Sequence, residues 1–112
     1  MVDIGQLTTA QLRARRRRLA ARLSDPQVML AGSLVSQSRR CGKPGCRCAE
    51  GEEHGPYTYL SARVGGVARL RYVPQALLNV VRRRVKQTQV FEAVIAEISA
   101  INHELLARRE LD

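Results

Sequence analysis

Hydrophobic positions along this 112-residue chain follow three successive patterns. Leu12, Leu19 and Leu23 recur at helical spacing, with Ala20 beside them. Thr8 and Gln11 ahead of them stand at capping-box spacing, and Leu7 and Leu12 at staple spacing. This predicts a helix that stops before Asp25-Pro26, with Arg13, Arg15, Arg16, Arg17, Arg18 and Arg22 over most of its remaining circumference. So many like charges repel, so this helix is expected to order fully only against a polyanion or an acidic surface; a solvated helix packed by its leucines is the alternative, and the two are compatible. Residues 28–37 are ambiguous: Met29, Leu30, Leu34 and Val35 suit a short helix, and 33–38 suits a strand, which is preferred.

The second pattern alternates. Residues 57–64 and 67–73 flank Gly65-Gly66, a two-residue hairpin turn. That turn pairs Val64 with Val67, Ala62 with Arg69, Leu60 with Arg71 and Tyr59 with Tyr72. One face then carries Tyr57, Tyr59, Arg63, Leu70 and Tyr72. The other carries Leu60, Val64, Val67 and Val73, expected to turn to a core, together with Arg69 and Arg71. The tyrosines suit either a stacking surface for bases or packing against a helix, and packing is the preferred reading.

The third pattern is helical from Pro74 onward, proline being suited to a first helical position. Leu77, Leu78, Val81 and Val85 begin a stripe, and Phe91, Val94, Ile98, Ile101 and Leu105 continue it at alternating spacings of three and four. One helix of about thirty-six residues would measure roughly 54 Å, longer than the rest of a small domain covers. The distal stripe therefore predicts a homodimer. A break near 87–89 that folds the helix back is the alternative. The expected architecture is α+β in three segments: 1–27, a basic helix; 28–74, a knuckle and hairpin; 75–112, a long helix of coiled-coil type.

Cysteine changes the picture most. The chain's three cysteines, Cys41, Cys46 and Cys48, fall within eight positions, followed by His54. Three thiolates and an imidazole at short loop spacings form the ligand set of a closed structural zinc site. Bridging Cys46 to Cys48 would be strained, and any disulfide leaves an odd thiol. Arg39, Arg40, Lys43 and Arg47 surround the cysteines, which argues against buried core thiols. Zn2+ is the expected metal and His54 the preferred fourth ligand; Glu50, Glu52, Glu53 and the remote His103 are alternatives.

Charge points to a partner. The chain carries +9, with seventeen of nineteen bases arginine. Residues 1–90 hold net +12 and residues 91–112 net −3. Arginine's planar fork suits phosphate, so nucleic acid leads, duplex DNA first, over an acidic protein or an anionic membrane surface. Arg13, Arg15, Arg16, Arg18, Arg22, Arg39, Arg40, Lys43, Arg47, Arg69 and Arg71 are the candidate contacts. No apolar run suffices to span a bilayer, no signal peptide opens the chain, and thiols arranged for metal fit a reducing compartment, so a cytoplasmic protein is expected. Nucleotide-binding glycine motifs and nucleophile–base arrangements are missing, and four protein ligands leave zinc no open position, so no enzymatic activity is expected.

The run C-G-K-P-G-C-R-C, then H-G-P-Y-T-Y-L-S, then R-Y-V-P and a long helix resembles an uncharacterised family of small bacterial proteins over about residues 32–106. The arginine run at 13–22 lies outside it. The resemblance places Cys41, Cys46, Cys48 and His54 on the family's Cys and His positions. It implies an accessory role around mobile elements, beside a recombinase or transposase.

Overall fold

The computed structural model describes residues 3–40, 42, 43, 45, 51 and 54–112, with Arg39 described by its backbone alone. In chain order come α1 (Thr9–Ala20), β1 (Ser33–Arg39), β2 (His54–Val64), β3 (Val67–Tyr72) and α2 (Leu78–Ala107), with short 3-10 turns before α1, β1 and α2. The fold is α+β. These elements form two compact units, one of Met1–Met29 with Gln87–Asp112 and one of Leu30–Lys86. Among the described residues no helix is long and apolar enough to cross a membrane.

In the first unit, α1 begins on the expected capping box. The Thr8 hydroxyl accepts from the Gln11 amide at 3.1 Å, and the Gln11 side chain accepts from the Thr8 amide at 2.9 Å. The helix ends at Ala20, short of Asp25-Pro26, in a turn closed by bonds from Arg22 and Leu23 to the Leu19 and Ala20 carbonyls. Leu12 and Leu19 are buried against Val94, Ile101 and Leu105 of α2, with Ile4, Leu7 and Ile98 packed around them. Val94, Ile101 and Leu105 of the stripe expected to meet a second chain are thus packed against α1 within the chain.

α2 runs unbroken through 87–89, which contain no Gly or Pro. It ends at Ala107 rather than continuing to the C-terminus. Arg109 adopts φ 59°, and the Glu110 and Arg109 amides donate back to the Leu105 and Leu106 carbonyls at 2.8 and 2.9 Å. This is a Schellman stop, and it turns residues 110–112 back along the unit.

The second unit is a three-stranded antiparallel sheet in the order β1-β2-β3. All four predicted hairpin pairs are present, and Gly65 and Gly66 take φ 59° and 80°, the left-handed conformations that a tight two-residue turn requires. Residues 33–39 form the strand preferred over a helix. Gly32 at its start has φ 141°, and a Cβ there would meet the Ser61 carbonyl oxygen at 2.8 Å, so only glycine permits this approach. Leu60, Val73 and Val85 form the core, with Leu30, Leu34, Leu78 and Val81 against it. Val64 and Val67, expected on the core side, are about half exposed. They share the parity of Leu60 but flank the turn at the hairpin tip.

Candidate nucleic-acid interface and metal-ligand loop

The segment 40–53 joins β1 to β2 at the end of the sheet where Arg39 pairs with His54. The register shifts between Gln37 and Arg39, a bulge of the kind that turns a strand end. His54 is the first residue of β2 and is exposed. Arg40 Nη1 donates to the Gly51 carbonyl at 3.1 Å, tying the two limbs of the segment together, and Lys43 is exposed. Cys41, Cys46, Cys48 and Arg47 lie outside the described residues, as do the alternative ligands Glu50, Glu52 and Glu53. His103, the remaining alternative, is exposed on α2.

The sheet has two dissimilar faces. Leu34 and Leu60 are cross-strand partners on the side that receives Leu78, Val81 and Val85. Strand alternation puts Val35, Tyr57, Tyr59, Arg63, Leu70 and Tyr72 on the other side. The tyrosines therefore do not pack against α2 within this unit, contrary to the preferred reading, because Leu60 and Val73 occupy that side. Tyr72 is 56% exposed and Tyr57 38%. Tyr72 meets Tyr57 edge-to-face at 6.1 Å between ring centroids and Tyr59 at 5.9 Å, with interplanar angles of 79° and 67°. Arg63 donates to the Gly66 carbonyl at 2.7 Å across the turn. Arg69 and Arg71 are exposed on edge strand β3, and Arg82, Arg83 and Arg84 are exposed on α2.

The arginines of α1 divide into two groups. Arg15 Nε donates to Glu97 at 2.6 Å. Arg16 grips Asp112 with two parallel bonds at 2.9 and 2.7 Å and also reaches Asn102 at 2.8 Å. Arg13 donates to the Glu110 carbonyl at 2.8 Å. The helices run in opposite senses, since Thr9 meets Arg108 while Arg15 meets Glu97. The bidentate bond from Arg16 holds the Asp112 carboxyl down at about 2, and the same contact raises the Arg16 guanidinium above its ordinary value. Arg17, Arg18 and Arg22 face outward and are exposed.

So the acidic surface on which the basic helix orders is the chain's own C-terminal segment. Sequence reasoning missed this pairing, although a signal was present. Arg15 and Arg16 lie three and four residues after Leu12 and before Leu19, which puts them on the apolar stripe itself. Of the proposed dimer seam, Phe91, Val94, Ile101 and Leu105 are buried within the single chain, and Ile98 is partly buried beside them.

Charge follows the two units. Met1–Met29 with Gln87–Asp112 holds eight bases and seven acids, a net of +1, while Leu30–Lys86 holds eleven bases and three acids, a net of +8. Nearly all of the excess charge belongs to the unit that carries the sheet.

The family DUF6788, a domain of unknown function, matches residues 9–83, and the chain belongs to it. The match begins within α1, so the arginine-rich helix lies inside the family region, unlike in the resemblance drawn from the cysteine motif. No curated protein and no solved structure matches the chain.

Proposed function

We propose that this member of the DUF6788 family is a bacterial, zinc-stabilised nucleic-acid-binding protein with an accessory or regulatory role. The observation that carries the reading is the net charge of +8 on residues 30–86, against +1 on the rest of the chain. From His54 to Lys86 there are seven cations and no carboxylate. A solvated face usually mixes signs, whereas a polyanion site excludes acids. Cys41, Cys46, Cys48 and His54 would hold Zn2+ at the end of the sheet. The exposed His54 opposite Arg39 fits such a donor set, because it opens β2 directly after the thiol-bearing segment. Three thiolates with one Zn2+ return a single negative charge, which leaves the unit strongly basic. The metal's contribution is to fold the loop, so that Arg39, Arg40, Lys43 and Arg47 move as one body with Arg69 and Arg71. In the first unit Arg18 and Arg22 are exposed candidate contacts of their own, and Arg13, Arg15 and Arg16 bond within that unit instead.

Fluorescence anisotropy with labelled duplex DNA across a salt series tests the reading. Affinity should fall steeply, with a log–log slope of about 0.9 for each phosphate neutralised. Replacing Arg39, Arg40 and Arg47 together by Ala should weaken binding to unrelated sequences equally, since phosphate contacts carry no base information. Absence of binding to DNA and RNA at low salt would refute it and leave an adaptor that docks an acidic protein through the same surface.

A further inference from the structure

The open face of the sheet has a composition that duplex binding does not use. We propose that this face is a stacking platform for unpaired bases, so that the ligand is single-stranded nucleic acid threaded across β2 and β3. The proposal rests on the nucleic-acid reading above and adds the strandedness of the ligand to it.

Three observations converge. First, the chain has three tyrosines and no tryptophan, and all three tyrosines lie together on this face. Tyr72 is more than half exposed and Tyr57 partly so, and tyrosine suits a surface where one side of the ring meets a ligand. Second, the rings meet at 79° and 67°, so they brace one another by their edges and do not stack on each other. A flat base still has ring surface to cover. Neighbouring strands stand about 4.8 Å apart, which sets rings on adjacent strands at a spacing that successive extended nucleotides can follow.

Third, the surroundings are cationic. Arg63 shares the face, and residues 54–86 contain no carboxylate, while Arg69 and Arg71 stand on β3 with the parity of Leu60 and supply charge to the other face. A second copy of the chain is the poorer occupant, because it would set its own Arg63 and a unit of net +8 against the same charge here. A duplex is also poorer, since its bases are already stacked and expose only their edges in the grooves. Unpaired bases supply flat π-surfaces, and the strand joining them supplies the anions. Leu70, 43% exposed and two residues from Tyr72 toward the hairpin turn, adds apolar contact for a base or sugar.

The protein is its own probe, because tyrosine emission comes solely from this face. Four ligands of equal length are compared at one ionic strength: oligo(dT), an oligouridylate, a duplex, and an abasic sugar-phosphate strand with the charge but no bases. The base-bearing single strands should bind roughly tenfold or more tighter than the abasic strand and should quench tyrosine emission, after correction for ligand absorbance. Tyr72→Ala should remove most of that advantage and leave duplex affinity unchanged, whereas Tyr72→Phe, which keeps the ring, should retain it. Equal affinity for abasic and base-bearing strands, with the Ala variant behaving as the unmodified protein, overturns the platform while leaving phosphate binding intact. If none of the four ligands binds at low salt, the platform and the broader reading fail together.

Discussion

Removing Leu12 tests the coupling of α1 to α2. Leu12 is fully buried among Val94, Ile101 and Leu105. Leu12→Ala deletes three carbons, and at about 0.8 kcal/mol per buried methylene the transfer loss alone is about 2.4 kcal/mol. An unfilled cavity raises this toward about 3–4 kcal/mol. An isolated helix of this length is marginal in water, so α1 depends on that contact. A loss of about 3 kcal/mol multiplies the population with α1 detached roughly 100-fold. Trypsin reports it directly, because detachment exposes the run from Arg13 to Arg18. At low protease, where cleavage follows the open population, the variant should be cut in this run about 100 times faster, and its urea midpoint should fall. An unchanged cleavage rate and midpoint would refute the packing. If light scattering then also found a dimer, the stripe from Phe91 to Leu105 would be paired with a second chain, for which Leu12 is irrelevant.

The remaining expectations concern the metal and pH. Protein purified without chelator should contain about one zinc per chain, and Cys41→Ser or Cys46→Ser should lose the metal and loosen the β1–β2 end, since binding energy there is folding energy; a melting curve unaltered by strong chelator would count against it. The Asp112 carboxyl is held at about 2 in the folded chain, below its ordinary value. A depressed carboxyl contributes stability that is present above the ordinary carboxylate value and lost as pH falls through about 2. Between pH 4 and 2 the melting temperature of Asp112→Asn should therefore fall less than that of the unmodified chain, and parallel curves would show that the Arg16 clasp contributes nothing.

Local rules read the strands and caps correctly because they are decided within a few residues. Thr8 and Gln11 cap one another across three positions, and Gly65-Gly66 fixes the register from Val64 to Tyr72 without help from the rest of the fold. The orientation of the sheet was harder. Both faces of the hairpin carry apolar and basic residues, and parity alone does not say which face the helix covers. That is settled by Leu34 arriving beside Leu60 from β1, and by Val81 and Val85 from α2. The cover of the distal stripe was illegible for a related reason. Its partner lies more than seventy residues away in sequence, and the periodicity of α1's leucines does not say which stripe they meet. Of the cysteine and histidine motif, His54 is described at the start of β2, and Cys41, Cys46 and Cys48 lie outside the described residues.

The densest run of charge is a poor guide to where a polyanion would bind. Arg13 to Arg18 is the most basic stretch of the chain, yet Arg13, Arg15 and Arg16 are spent on Glu110, Glu97 and Asp112. A phosphate approaching those three would have to displace bonds already made, two of them in parallel from a single guanidinium. Residues 54–86 themselves carry seven cations and no carboxylate. Salt should therefore act on the two units for different reasons: in the first by weakening internal ion pairs, in the second by competing with ligand. Removing the C-terminal acids is the corresponding perturbation. Replacing Glu97 and Asp112 by Gln and Asn should loosen α1 and free Arg15 and Arg16, raising nonspecific affinity for DNA while lowering stability. A variant with lower stability and unaltered affinity would show that the freed arginines do not reach the ligand, and would confine binding to the sheet-bearing unit.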